Sequence, residues 1–338
     1  MKARALFISS SVGLGHVTRD YRLSRELIGW ADVTWLTAGA AARYLLARGE
    51  RLHPLSGELR SIGSSLMKVI RGCRVRVGPL SAYAVYMDLA HNARLLRERL
   101  DLDDYDIVIG DEPWELMMSG LWHERSILIT DFEAFRASGI ISKLVVSRIN
   151  SWLESLYGRF RLRYNVGLWG SGGQSFRRPG NLFTHEGRYG PVEDEGPVVI
   201  NVGGTDAALG LARDLDESLR AEGLEAEVLG SSEKFVGDPI RAISRARAVI
   251  TLAGYGSLVE VAAMRKRAVI LAIDGHFEHE ENAKAFMGRR GYRVLRCSEA
   301  SPSSVARALR DVEGEVPDPP PVKDSAPQVA AELRSLLE

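Results

Sequence analysis

Apolar residues in this chain fall into short runs separated by longer stretches of helical spacing, and the alternation occurs twice. Ala5-Leu6-Phe7-Ile8, bounded by Ser9-Ser10-Ser11, reads as a buried strand. A helix follows from about Val17, with Val17, Tyr21, Leu27 and Ile28 on one face. Val33-Thr34-Trp35-Leu36 predicts a second strand and Ala40 to Leu46 a second helix. Ala82, Val85, Tyr86, Leu89, Ala93, Leu96 and Leu100 recur at helical spacing and predict a long helix over 81–100. Asp106-Ile107-Val108-Ile109 and Ser126-Ile127-Leu128-Ile129 read as further parallel strands. In the second block, strand-like runs stand at Val198–Val202, Ala226–Leu229, Ala248–Leu252, Ala268–Ala272 and Arg293–Leu295, with helical patterns between them. Strands alternating with helices twice over imply an α/β protein with two doubly wound, Rossmann-like parallel sheets. Gly190-Pro191 and the acidic stretch Glu193 to Pro197 read as the linker. The Pro-rich segment Pro317 to Pro321 ends the second block, and Gln328 to Leu337 predicts a last amphipathic helix. The expected organisation is therefore 1–190, 191–314, and a linker with a C-terminal helix at 315–338.

The 338 residues suit two cores. Lys+Arg and Asp+Glu both number 44, so no global field would attract nucleic acid. Cys73 and Cys297 allow at most one bridge and have no metal-ligand spacing, which points to a reducing, cytoplasmic compartment. Met1-Lys2-Ala3-Arg4 runs straight into an apolar strand too short for a signal peptide or a membrane span. Any membrane contact is expected to be peripheral, at the inner face.

Ligands of open parallel sheets sit at the carboxyl ends of the strands. Three glycine turns occupy such positions. Val12-Gly13-Leu14-Gly15-His16 follows the first strand, where glycines let the backbone approach an anion at a helix N-terminus. A dinucleotide fingerprint is disfavoured, because Thr18 stands where a third small residue is wanted and no acid ends the second strand. Asn201-Val202-Gly203-Gly204-Thr205-Asp206 and Ala253-Gly254-Tyr255-Gly256-Ser257 follow strands of the second block. The densest polar segment, Asp274 to Ala283, follows Val269-Ile270-Leu271. Asp101-Leu102-Asp103 and Asp214-Leu215-Asp216 spell Asp-x-Asp, but the first precedes a strand and the second lies in a predicted helix. No metal is expected.

Gly254-Tyr255-Gly256-Ser257-Leu258-Val259-Glu260, together with Gly275-His276-Phe277-Glu278-His279-Glu280-Glu281-Asn282-Ala283, resembles the donor site of GT-B glycosyltransferases. It is similar to that of the lipid-linked N-acetylglucosaminyltransferases of peptidoglycan synthesis and their archaeal and bacterial relatives. Gly13-Leu14-Gly15-His16 is similar to their first loop, Gly203-Gly204-Thr205 to the glycine loop of their C-terminal domain, and Tyr189-Gly190-Pro191 to their domain junction. The resemblance implies two sheets facing across a cleft and a nucleotide-sugar, UDP-linked co-substrate with no other cofactor. It implies that Glu260 holds the ribose. Gly13, Gly15, Gly203, Gly204, Thr205, Gly254, Gly256 and Ser257 would meet the nucleotide and phosphates. His276, Glu278, His279 and Asn282 would face the donor sugar. Glu278 and His279 stand where the family often has two glutamines, which leaves the sugar open. His16 is the candidate base for inverting transfer, since histidine titrates near neutrality; Asp111 would orient it, and Glu112 is the competing base.

The acceptor is not named, although a lipid-linked one would suit two basic, apolar segments. Arg60 to Arg76 sets Arg60, Lys68, Arg71, Arg74 and Arg76 around Leu66, Met67, Val69 and Ile70. Farther on, Ile141, Leu144, Val145, Ile149, Trp152, Leu156 and Phe160 form a stripe flanked by arginines. Such elements either dock on anionic lipid or pack on the sheet. Alternatives on the same scaffold are a nucleotide-sugar hydrolase, a UDP-sugar 2-epimerase and a non-catalytic nucleotide-binding subunit.

Overall fold

The computed structural model of the chain describes residues 2–67, 69–71, 73–76, 78–136, 140–169, 175–183, 196–203, 208–230 and 239–338. It divides into two compact units. The first comprises Met1–Leu66, Pro79–Thr184 and Asp324–Glu338; the second comprises Met67–Gly78 and His185–Lys323. The linker expected at 190–197 falls almost wholly outside the described residues.

Unit 1 runs β1 (Ala3–Ser9), α1 (Gly15–Leu27), β2 (Ala31–Leu36), α2 (Gly39–Leu46) and α3 (Ile62–Met67). A two-stranded hairpin, β3 (Ile70–Arg71) and β4 (Arg74–Val75), then leaves for unit 2. Unit 1 resumes with α4 (Pro79–Arg99), β5 (Ile107–Asp111), α5 (Trp114–Ser119), β6 (Ser126–Thr130), α6 (Ile140–Tyr157) and β7 (Leu162–Asn165). Unit 2 runs β8 (Val198–Asn201), α7 (Leu209–Ala221), β9 (Ala226–Leu229), α8 (Pro239–Arg245), β10 (Ala248–Leu252) and α9 (Tyr255–Ala263). It continues with β11 (Ala268–Ala272), α10 (Phe277–Lys284), β12 (Tyr292–Arg296) and α11 (Pro302–Val312). The last helix, α12 (Ala326–Ser335), returns to unit 1 and packs on α1.

Both five-stranded sheets are parallel, with orders β2-β1-β5-β6-β7 and β9-β8-β10-β11-β12. Counted within each unit the order is 2-1-3-4-5, so the winding reverses between β1 and β5 and between β8 and β10. The crevice at the carboxyl ends there is where such sheets bind ligands. Residues of β5, β6, β10 and β11 are buried throughout, as expected of central strands covered on both faces. Leu6, Ile8, Leu36, Val108, Leu96 and Leu116 form one core face of unit 1. Val198, Ile200, Ile250, Leu271, Leu215 and Leu309 do so in unit 2.

Four features depart from the sequence reading. The strand β7 completes the first sheet where only the α6 stripe was expected. The Pro-rich segment, expected as a linker beyond 314, belongs to unit 2 as far as Lys323: Asp318 N–H donates to the Arg290 carbonyl at 3.0 Å and Arg265 to the Pro317 carbonyl at 3.0 Å. In α4, Ala93 and Leu96 are buried, but Leu80, Tyr83, Tyr86 and Met87 stand exposed, at 86%, 61%, 57% and 42%. The segment Arg60 to Arg76 is not one basic amphipathic element of the first block. Beyond Leu66 it is the hairpin of unit 2, where Val69 is buried and Ile70 and Val75 pack on the core. Apolar side chains spent in that core cannot face lipid.

Cys73 and Cys297, 224 residues apart in sequence, form the one disulfide that the sequence allows. Backbone bonds back it: Asp274 N–H donates to the Cys73 carbonyl at 3.0 Å, and Val75 N–H to the Asp274 carbonyl at 2.9 Å. Peptide mapping without reductant should recover Cys73 and Cys297 in one linked species. Reduction should lower the unfolding free energy by about 2–4 kcal/mol, read as an earlier denaturation midpoint that the Cys73→Ser/Cys297→Ser double variant no longer shows. Equal midpoints with and without reductant would contradict the bridge.

Candidate functional site

The switch point of unit 1 brings His16 to Asp111. Ser9 and Asp111 are paired at the ends of β1 and β5, and Ser10 N–H donates to the Asp111 carbonyl at 3.0 Å. The loop then turns through Gly13, whose φ of +67° favours glycine, into α1. A side chain added at Gly13 or Gly15 would meet no atom within 4 Å, so the turn lies open to a ligand. Behind it, Ser11 Oγ accepts from Ile62 N–H at 2.9 Å, and the α3 backbone presses on Ser11 where only Gly63 fits.

His16 lies in the first turn of α1. Its Nδ1 is 3.0 Å from Asp111 Oδ1, and its Nε2 faces Glu112 Oε2 at 3.9 Å, beyond hydrogen-bond reach. Asp111 is fully buried. Burial alone would raise its carboxyl, but the Arg19 guanidinium and then His16 outweigh this and hold it well below the usual carboxylate range. Arg19, one turn after His16, forks onto Asp111 with Nε to Oδ2 at 2.5 Å and Nη2 to Oδ1 at 2.5 Å. Its Nη1 donates to Asp131 Oδ2 at 2.8 Å. Asp20 is buried beside this cluster; desolvation, then the Asp111 charge, push its carboxyl well above its ordinary value. Glu112 accepts from Thr130 Oγ1 at 3.1 Å and sits at φ +44°, a left-handed backbone that a non-glycine residue seldom adopts.

His16, Asp111 and Glu112 each offer an atom within 4.8 Å of the others, close enough to share a cation. Both Asp111 oxygens are already engaged by Arg19, whose charge opposes a second cation, so the trio suits proton transfer better than metal binding. Of the Asp-x-Asp pairs, Asp101 accepts from Asp103 N–H in a tight turn ahead of β5, and Asp216 pairs with Arg220 on α7. The sequence reading missed Arg19, Asp20 and Asp131. Asp131 follows β6 and was accessible to the strand-end rule; Arg19 shares the His16 face of α1 at three-residue spacing.

The corresponding crevice of unit 2 is built from β8, β10 and β11. Asn201 ends β8; its Oδ1 accepts from Gly203 N–H at 2.9 Å and its Nδ2 donates to Ser257 Oγ at 3.2 Å. Gly203 has φ +67°; Gly204 and Thr205 lie outside the described residues. Gly254 caps α9 without a side-chain bond and sets the helix N-terminus, an end that favours anions, at the end of β10. Tyr255, Leu258 and Val259 are buried, whereas Gly256, Ser257 and Glu260 form the half-open face of that helix.

His276 caps α10 through Nδ1, which accepts from His279 N–H at 3.5 Å, and the two imidazoles lie 4.3 Å apart. His279 Nδ1 accepts from Ile273 N–H at 3.5 Å, which leaves its proton on Nε2. That nitrogen points at Gly254, 3.9 Å from where a Cβ would stand. Burial and then His276 push the His279 imidazole well below its ordinary value, so it is a neutral donor. Asn282 is fully buried; its amide donates to the Ala253 carbonyl at 3.2 Å and to Glu278 Oε1 at 3.3 Å. It ties α10 to β10 and fixes Glu278, while Glu278 and His276 remain half-exposed.

Because His279 stays neutral when folded and takes up a proton when unfolded, its contribution is present above about pH 6.5 and lost as pH falls below it. Denaturant unfolding between pH 7 and 5 should show stability declining more steeply in the wild type than in His279→Gln. The difference in slope should approach about 1.4 kcal/mol per pH unit; identical slopes would contradict a neutral buried imidazole.

Residues 234–333 match the family model of the glycosyltransferase family 28 C-terminal domain. No functionally curated protein matches the chain at a significant level. Among solved structures, the whole chain aligns with 100% of the glycosyltransferase SnogD from Streptomyces nogalater, at 15% identity and a TM-score of 0.59. It is similar over 98% of its length to 99% of Acinetobacter baumannii MurG, at 13% identity and a TM-score of 0.54. Spinosyn rhamnosyltransferase SpnG, complexed with spinosyn aglycone, aligns over 96% of its chain with 99% of this one, at 13% identity and a TM-score of 0.57. The chain thus has the GT-B fold, and its residues 234–333 are similar to the glycosyltransferase family 28 C-terminal domain, which together support a glycosyltransferase.

Proposed function

We propose that the protein moves a sugar from a nucleoside diphosphate donor, UDP-linked, to an acceptor hydroxyl by metal-independent inverting displacement. The observation that carries this reading is the His16–Asp111 pair at 3.0 Å in the switch-point crevice of unit 1. In this reading unit 1 supplies the base and unit 2 holds the donor. The acceptor oxygen attacks the anomeric carbon, and the bond from that carbon to the diphosphate oxygen breaks. The acceptor proton passes to His16 Nε2, and ionised Asp111 stabilises the imidazolium. The leaving diphosphate sits against the N–H groups of α9 and the neutral Nε2–H of His279. Ser257 and Gly203 line the same crevice, and Glu260 accepts from the ribose hydroxyls. His276 and Glu278 face the sugar.

For the acceptor, two features of unit 1 support an amphipathic or lipid-linked molecule. An open surface pocket of about 740 Å³ is lined by Phe135, Arg136, Val146, Asn150 and Glu154; its loop leaves directly from Asp131. Leu80, Tyr83, Tyr86 and Met87 of α4 and Leu144, Ile149 and Trp152 of α6 are exposed. The side chains of Ile141, Lys143 and Val145, expected in the α6 stripe, lie outside the described ones, and Leu156 and Phe160 are buried. No helix among the described residues is long and apolar enough to cross a membrane, so contact with lipid would be peripheral.

Thermal-shift screening against UDP, GDP, TDP and CMP tests the donor site. UDP should stabilise the protein by about 2–3 kcal/mol near a hundredfold excess over Kd, and Glu260→Ala should lose most of that. His16→Ala should keep UDP binding while kcat falls about 10²–10⁴-fold. Indifference to every nucleotide would overturn the donor assignment. Sedimentation with anionic phosphatidylglycerol vesicles tests the surface: Leu80→Ser/Tyr83→Ser/Trp152→Ser should bind several-fold more weakly, and unaltered binding would remove α4 and α6 from the interface.

A further inference from the structure

The hairpin of β3 and β4 belongs to unit 2, whereas its neighbours along the chain, α3 and α4, belong to unit 1. One covalent bond holds it in unit 2, from Cys73 in its turn to Cys297 just beyond β12. Cys73 stands at φ +60°, a left-handed backbone that a cysteine seldom adopts and that persists where its surroundings fix it. The turn grips the middle of a three-residue link, Ile273-Asp274-Gly275. Asp274 N–H donates to the Cys73 carbonyl at 3.0 Å, and the Asp274 carbonyl accepts from Val75 N–H at 2.9 Å. Its Oδ2 accepts from Ser298 N–H, next to Cys297, at 3.1 Å. The two outer residues of the link hold α10. Ile273 N–H donates to His279 Nδ1 at 3.5 Å, and Gly275 N–H donates to Glu280 Oε1 at 2.9 Å. His276, the cap of α10, donates its N–H to the Ile273 carbonyl at 3.1 Å. An unbroken series of bonds therefore runs from Cys297 through Cys73, Asp274 and Ile273 to the His279 imidazole.

We propose that this hairpin positions the donor site and that the Cys73–Cys297 bridge makes donor affinity redox-dependent. Bridged, the turn holds Asp274 and with it the loop of His276 and His279. Reduced, the turn is released and the nucleotide binds more weakly. The inference rests on unit 2 holding the donor and adds what sets the affinity there. Reduction takes two electrons and two protons from a dithiol: the S–S bond breaks, two thiols form, and the dithiol closes to its own disulfide. Both cysteines are nearly buried, at 6% and 2% exposure, so a thiolate reaches the bridge as the turn lifts. The ties that remain after reduction are noncovalent. Ile70 and Val75 pack on the core, the Cys73 carbonyl and Val75 N–H bond to Asp274, and Arg74 Nη2 donates to Ser298 Oγ at 3.3 Å. Coupling between two sites is reciprocal, so bound nucleotide should in turn oppose reduction.

The test compares the full chain oxidised and after dithiothreitol, with iodoacetamide labelling to confirm that the bridge is closed in one and open in the other. UDP titrated into each by calorimetry, below both unfolding midpoints, should give a Kd about fivefold higher or more for the reduced form. In transfer assays KM for the donor should rise likewise while kcat changes less than about twofold, a split that loss of folded protein would not produce. Amide hydrogen exchange over 273–279 should quicken on reduction. Saturating UDP should lower the fraction reduced at a fixed ratio of dithiol to its disulfide. Cys73→Ser/Cys297→Ser should bind UDP as the reduced wild type does and ignore dithiothreitol. An equal Kd in both states of the wild type would overturn the proposal, a comparison that needs no variant to fold. If neither state binds UDP, GDP, TDP or CMP, the donor reading fails and takes the affinity claim with it. If both states bind UDP equally, the donor reading stands and only the role of the bridge fails.

Discussion

Arg19 and Asp111 meet as a forked ion pair, 2% and 0% exposed, at the one place in unit 1 where the winding of the sheet reverses. The pair joins α1 to the end of β5, and Asp131 extends it to the end of β6. Burying such charges is costly, and removing one partner of such a pair costs about 3–5 kcal/mol. An apolar cluster of similar volume would hold these elements together as well or better. The charges are therefore poorly explained by stability alone, and the cluster is better understood as a preorganised electrostatic site. Its geometry decides which side chains face the crevice: Asp111 turns toward His16, and Glu112, held in a left-handed backbone, turns toward Thr130 and the imidazole edge.

Unit 2 repeats the topology with different chemistry. At its own switch point the strand-end residue is Asn201 and not a carboxylate. Asn201 bonds to Gly203 and Ser257 and so joins the end of β8 to the first turn of α9. At the N-terminus of α9, Gly254 caps without a side chain, and His279 turns a neutral N–H toward it. A carboxylate there would repel a diphosphate, whereas backbone N–H groups, a serine hydroxyl and a neutral imidazole all donate to one. The same sheet order thus carries an anionic crevice in one unit and a crevice lined by hydrogen-bond donors in the other.

Much of this is legible in the residues because it is local. The apolar runs of β1, β5, β10 and β11 announce buried parallel strands, and the strand-end rule then selects His16, Asp111, Gly254 and His279. What escapes is whatever depends on long-range pairing. Asn282 looks like a ligand group when read beside His279, but its helix position turns it inward to Ala253. The α4 stripe recurs along the whole predicted helix, yet within α4 only its second half, at Ala93 and Leu96, is buried; periodicity reports amphipathic spacing and is silent on what covers the face. Arg19 carries no motif of its own, and its meaning appears only when Asp111 and Asp131 arrive from strands roughly a hundred residues away.

The hairpin at 69–75 shows how far a local reading can mislead and why the correction bears on the site. Its basic and apolar residues have the composition of a surface helix, but a disulfide and two backbone bonds anchor them beside Asp274, at the head of the loop that carries His276 and His279. Arg74 Nη2 donates to Ser298 Oγ at 3.3 Å, and Asp274 accepts from Ser298 N–H at 3.1 Å. The Ser298 bond and the nearby Arg74 and Arg296 charges outweigh partial burial and hold the Asp274 carboxyl below its ordinary range. Val75 then packs 3.7 Å from where a Cβ on Gly275 would stand, and Gly275, at φ +74°, turns the chain into the His276 cap of α10. The donor-side imidazoles therefore stand on a platform supplied by a segment more than two hundred residues earlier, and their placement depends on that covalent and hydrogen-bonded support as much as on the helix that bears them.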